Sequence, residues 1–165
     1  SLTGHLVLST LHTNDSAGAL TRLVDIGIEP FLIASSLVGV LAQRLVRVLC
    51  RECRTSASIG AAEMEKLGAD ALKVGLPSRV FKAVGCPACM NSGYKGRTGI
   101  HEYLTVTDAA RTLLVKGSDS KRIMQQAVSE GMSTLRHDGL RKVALGETTL
   151  DEVLRVTDET GGEII

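Results

Sequence analysis

The chain has 165 residues, and its 19 Lys and Arg against 18 Asp and Glu leave a formal net charge of +1. That length holds one good core, or one core with a small stapled lobe, and so even a balance excludes the basic field that would advertise nucleic acid or an anionic membrane. Its aromatic residues, Phe31, Phe81, Tyr94 and Tyr103, are too few for base stacking, and the longest apolar run, Phe31 to Leu41, is interrupted and too short to span a bilayer.

Leu6-Val7-Leu8 lies in a β-compatible run without polar alternation, which predicts a strand covered on both faces. The polar stretch Thr10 to Ser16 then leads into a helix. Asn14, Asp15 or Ser16 caps it, Leu20, Leu23 and Val24 form its apolar stripe, and Gly27 stops it. Pro30 starts a second helix, in which Ala34, Leu37, Val38 and Leu41 repeat at helical spacing. Gln43 to Leu49 reads as a second buried strand. A strand–helix–helix–strand order belongs to an α/β core.

Four cysteines follow in two pairs, Cys50-Arg51-Glu52-Cys53 and Cys86-Pro87-Ala88-Cys89, with 32 residues between them. Each pair offers two sulfurs from one tight turn, and two turns close the tetrahedral shell that structural Zn²⁺ requires. Pro87 suits such a turn, and Gly93 allows an exit with φ above zero. Disulfides fit small secreted chains, and a redox C-x-x-C usually comes singly in a thioredoxin-like context. An iron–sulfur cluster is the remaining rival. Four thiolates leave no open coordination position, so the expected zinc is structural rather than catalytic. Between the pairs, Ala61 to Leu67 is a short helix, Gly75 to Ser78 a turn and Arg79 to Val84 a strand. This segment is long for plain coil and poor in apolar area. Bound zinc, worth on the order of 10 kcal/mol in small peptides, would supply what burial does not. Replacing Cys50 or Cys86 by serine is expected to release the metal and loosen residues 50–93 before the rest.

Tyr94 to Leu104 reads as a strand with a glycine-rich lead, and the remainder as helices. One is capped by Thr107 or Asp108 and ended by Gly117. The next runs from about Lys121 to Glu130. A third carries Leu140, Val143 and Ala144 inward and stops at Gly146. Thr149-x-x-Glu152 reads as a capping box opening the last. Together they predict a small helical bundle.

Only scattered groups suggest chemistry. His5 and His12 flank the first predicted strand, so both could face a crevice at the end of an α/β sheet, where ligands commonly sit. Two hydrogen-bonded histidines with no role would read the same way. The chain holds no G-x-x-x-x-G-K-[ST], no G-x-G-x-x-G and no nucleophile elbow. It opens on Ser1 without Met and reads as the back part of a longer protein.

Thr3-Gly4-His5-Leu6-Val7-Leu8-Ser9-Thr10-Leu11-His12-Thr13-Asn14 resembles the His box of the secretion superfamily ATPases, and Leu41 to Arg47 the segment after it. The two C-x-x-C pairs come where assembly-type members carry a zinc subdomain. Gly93 to Glu102 is similar to the family's strand after the zinc, and Thr134 to Thr157 to its C-terminus. The likeness is greatest to type II secretion ATPases, with pilus-assembly ATPases second; retraction relatives lack the cysteines. It implies an α/β fold, the rear part of a RecA-like P-loop ATPase core without its P-loop. Residues 1–49 would belong to that core, 50–93 would form a four-cysteine zinc insert, and 94–165 a return strand with a C-terminal helical subdomain.

For the parent, the resemblance implies a homo-hexameric ATPase driving pseudopilus assembly with ATP and Mg²⁺. It would be cytoplasmic, held at the inner membrane by secretion platform proteins, and without nucleic acid. His12 and His5 would sit near the γ-phosphate, and Arg97 would approach the nucleotide from the strand after the zinc. Arg44 and Arg47 read as structural or interface charges, and His101 and His137 as surface or packing residues. Without Walker A and B segments the piece alone is expected to be inactive. The rival classes are a zinc-ribbon module binding nucleic acid or protein, and an adaptor in which neither histidine matters.

Overall fold

A computed structural model describes residues 4–158. They form two compact units, one from 4–42 and 102–134, the other from 43–101 and 135–158. Residues 159–165 of the expected C-terminal region and residues 1–3 lie outside the described residues.

In the first unit, α1 (Ser16–Asp25) begins where the polar loop predicts, with Asp15 Oδ1 accepting the Gly18 N–H at 2.6 Å. Helix α2 (Pro30–Ser36) is shorter than its periodicity suggests. Leu37, Val38 and Leu41 leave it because the chain turns into strand β1 (Gly39–Leu49), and Val38 C=O accepts the Val106 N–H at 3.0 Å. Backbone pairing overrides local helical spacing there. Helices α5 (Asp108–Val115) and α6 (Ser120–Ser129) complete the unit, capped by Thr107 and Asp119. Ala17, Leu20, Ile33, Leu104, Val106, Leu114, Ile123 and Ala127 close its core. A fully buried Leu20 or Ile123 contributes roughly 2 kcal/mol.

The first predicted strand does not form. Residues 5–13 are irregular, and Leu6 and Leu8 are 84% and 89% exposed. A strand needs a hydrogen-bonded neighbour, and among the described residues none pairs with this segment. His12 therefore follows an irregular segment rather than a strand.

In the second unit, β2 (Thr55–Ser58) pairs antiparallel with β3 (Arg79–Lys82), Thr55 opposite Lys82 and Ser58 opposite Arg79. Helices α3 (Ala61–Leu67) and α4 (Ala69–Val74) join them. The sequence predicts neither the polar strand β2 nor α4. Helices α7 (Leu135–Ala144) and α8 (Leu150–Thr157) pack on these elements. Leu67, Ala71, Leu76 and Val80 share one core with Leu140, Val143, Leu150 and Val153. Ala144, expected inward, is exposed.

Strand β4 (Tyr94–Thr105) pairs with β1, and neither sheet exceeds two strands among the described residues. The expectation of a strand buried on both faces at Gln43–Leu49 fails, because Gln43, Leu45 and Arg47 are exposed while Val46 is buried. A two-stranded sheet covered from one side gives that alternation. The described residues are thus mixed α/β, and none of their helices is long and apolar enough to cross a membrane.

Candidate metal centre

Strand β1 delivers the first cysteine. Leu49 and Cys50 are buried, the Leu49 N–H is donated to Glu147 C=O at 2.8 Å, and the Cys50 N–H to Gly93 C=O at 2.9 Å. The chain then folds back on itself, Arg54 donating its N–H to Cys50 C=O at 3.0 Å. The second pair stands on a single 3-10 turn, Pro87–Cys89, closed by Cys89 N–H to Cys86 C=O at 3.1 Å. Met90 and Asn91 continue it in the left-handed region at φ 52° and 60°. Gly85 and Gly93 bracket this turn at φ 116° and 76°. A Cβ on Gly85 would lie 2.7 Å from Asn91 O, and one on Gly93 would lie 2.6 Å from Ala83 Cβ. Both glycines allow the chain to close round the cysteines.

The four Sγ atoms lie within 4.8 Å of one another. Cys50 and Cys86 are 3.9 Å apart, Cys53 and Cys89 3.9 Å, and Cys86 and Cys89 3.8 Å. A tetrahedron of thiolates with metal–sulfur bonds of about 2.3 Å has edges of about 3.8 Å. A disulfide would need about 2.05 Å, and all four cysteines are free. The donor set and its spacing fit a tetrahedral metal ion.

Backbone N–H groups already point at the sulfurs. Gly85 donates to Cys53 Sγ at 3.3 Å, while Cys86 and Gly93 each donate to Cys89 Sγ at 3.2 Å. Burial pushes the Cys89 thiol up, but the two N–H donors outweigh it and bring its pKa down to about 6. At Cys86 burial prevails and pushes the thiol up to about 11. Burial also raises Cys53. The Cys89 sulfur is therefore prepared as a thiolate at neutral pH, and an arriving cation displaces protons from Cys53 and Cys86.

The centre is tied to the terminal helices. Arg54, next to Cys53, donates to Gly146 C=O at the end of α7 and lies 4.4 Å over the Phe81 ring of β3. Just before Cys50, Arg47 donates its backbone N–H and Nη2 to the Glu152 carboxylate at 3.1 and 2.7 Å. Arg155 completes the pair with contacts of 3.1 and 2.8 Å. Glu152 is 1% exposed, and Arg47 also lies 4.0 Å over the Tyr94 ring. Sequence reading missed the role of Glu152, for which only the paired arginines were a signal.

The remaining candidate residues lie outside this cluster. His5 and His12 are exposed in the irregular segment of the first unit, and Arg97 is exposed on β4 in the second. His137 is buried, its Nε2 2.9 Å from Asp70 Oδ1, and the His101 N–H is donated to Asp138 at 2.9 Å.

Residues 1–155 match the model of the family described as Type II/IV secretion system protein. The chain is 50% identical over 157 residues to the Type II secretion system protein HxcR of Pseudomonas aeruginosa, covering 95% of this chain and 29% of that protein. It is 50% identical over 160 residues to the Type II secretion system ATPase E of Vibrio cholerae, covering 97% of this chain and 31% of that one. The Type IV pilus assembly ATPase PilB of Thermus thermophilus is 46% identical over 159 residues, 96% of this chain and 18% of its own length. The chain thus spans less than a third of these relatives.

Proposed function

The chain belongs to the Type II/IV secretion system protein family, and from that membership we propose that it is the C-terminal part of an ATPase that powers type II protein secretion. The observation that carries this reading is the likeness over nearly the whole chain to a protein named as a secretion ATPase. In this reading the parent is a cytoplasmic homo-hexamer acting on inner-membrane platform proteins. The parent's phosphate-binding loop and Walker B carboxylate are not among the residues of this chain, so the piece alone does not turn over ATP.

In this reading residues 1–49 belong to the rear of a RecA-like core. His12, with His5, reports on the γ-phosphate, since neutral imidazole can hydrogen-bond a phosphate or an attacking water and imidazolium adds charge. Arg97 reaches the nucleotide in the assembled ring. The exposure of all three in the isolated chain is compatible with groups completed by other parts of the parent. Magnesium accompanies the nucleotide there.

Cys50, Cys53, Cys86 and Cys89 hold a structural Zn²⁺, supported by four sulfurs within 4.8 Å of one another, three of their separations being 3.8–3.9 Å, and by N–H donors that favour thiolates. Bound zinc supplies a cross-link between two distant turns and no open coordination position.

The likeness to pilus-assembly ATPases supports a second reading, in which the same motor builds a pilus. Deleting the gene separates the two: loss of exoprotein export with intact pili is expected, and the reverse outcome would favour the pilus. In the full-length protein His12→Ala should lower kcat on the order of 100-fold, whereas unchanged turnover would leave an adaptor. Cys86→Ser should purify without stoichiometric zinc by elemental analysis, and full metal content would end the zinc reading.

A further inference from the structure

Glu102 is a second buried carboxylate, far from the cysteines. It lies on β4, is 2% exposed, and accepts the Ser16 backbone N–H on Oε1 at 2.9 Å. The Ser16 hydroxyl donates to the same oxygen. Ser16 is fully buried, opens α1, and stands 86 residues away in sequence. Asp15 already serves as the cap of this helix through Gly18 N–H, so Glu102 is not a substitute cap. Its place is that of a tether between a strand and the exact point where the irregular segment becomes helical. A carboxylate at a helix N-terminus is favoured by the dipole, and charge-assisted hydrogen bonds are stronger and more directional than neutral ones.

His12 lies four positions before Ser16. The intervening turn is braced internally by Thr13 Oγ1 donating to Asp15 C=O at 3.1 Å. Upstream of that turn residues 5–12 form no strand, and Ser16, held by Glu102 on β4, is where the segment carrying His12 joins α1. We propose that Glu102 is a positioning residue: by clamping Ser16 it sets where the His12 imidazole is presented to the nucleotide. This rests on the nucleotide-facing role of His12 given above. A catalytic group displaced by even an ångström loses much of its effect, and a group on a loop depends on the rigid element that anchors it.

The test is a double-mutant cycle on the full-length ATPase with His12→Ala, Glu102→Leu and the pair combined, assayed well below each variant's melting temperature. Glu102→Leu is expected to lower kcat about tenfold with the KM for ATP within about twofold. On the His12→Ala background it should cost nothing further, because the group it positions is gone. Glu102→Gln keeps an acceptor oxygen for Ser16 and should restore most of the turnover. Ser16→Ala, which removes the hydroxyl hydrogen bond to Glu102, carries the same cycle if the leucine variant does not fold. Normal turnover in His12→Ala would overturn the role of His12, and with it this inference. A His12→Ala defect that simply multiplies with that of Glu102→Leu, or a Glu102→Leu enzyme of full activity, would overturn the positioning role alone.

Discussion

Glu152 shows how one buried side chain can serve an element it does not belong to. Thr149-x-x-Glu152 reads as a capping box, and half of it forms: Thr149 Oγ1 accepts the Glu152 N–H at 3.2 Å. The carboxylate turns away to Arg47 and Arg155. Burial pushes its pKa up, and the arginine hydrogen bonds outweigh burial and hold it at about 2, against an ordinary 4.5. A carboxyl depressed in the folded state contributes stability above its unfolded value, and that contribution is lost as pH falls from about 4.5 to about 2. Glu152→Gln, which turns an amide N–H₂ toward the guanidinium groups, should cost on the order of 2 kcal/mol at neutral pH, the arginines being half exposed. In denaturant titrations the gap between wild type and variant should close across that acid window. A gap independent of pH would contradict the assignment. The partner, Arg47, is 105 residues distant, which is why local spacing suggested a cap and nothing more.

At the scale of the element, the second cysteine turn is bracketed by two glycines at positive φ. The pairing of the cysteines and the positive φ at Gly93 were legible, since C-x-x-C turns have few ways to present two sulfurs. Gly85 was not, because its constraint is the approach of Asn91 across the turn. Gly93→Ala combines left-handed backbone with a Cβ placed 2.6 Å from Ala83 Cβ. It should cost more than about 1 kcal/mol and weaken the hold on metal. Competition with a chromophoric chelator measures this. An alanine variant that retains metal as wild type does would show that the turn tolerates the displacement. Strand β2 escaped detection for another reason: Thr55-Ser56-Ala57-Ser58 has no apolar face, and its pairing with β3 is what makes it a strand.

At the scale of the molecule, the segment between the cysteine pairs is not an autonomous lobe. Leu67, Ala71, Leu76 and Val80 share a core with α7 and α8, and Arg54 and Glu152 tie both ends of that arrangement to the metal centre. The expectation that residues 50–93 loosen first is therefore revised. Chelation should raise amide exchange together in 50–93 and in 135–157, while α1, α5 and α6, which close a separate core, keep their protection. Exchange confined to 50–93 would mean that the shared core holds without metal.

What the sequence determined by itself was whatever rests on short spacing: the tetrad of cysteines, the caps of α1, α5 and α8, the glycine stops and the family motifs. These depend on residues a few positions apart, and their chemistry is local. The tertiary structure alone decided that residues 5–13 stay irregular, that Leu41 joins a strand, and that the terminal helices divide between two cores. Strand pairing and burial are set by neighbours distant in sequence, and an apolar run becomes a strand only where another strand accepts its hydrogen bonds.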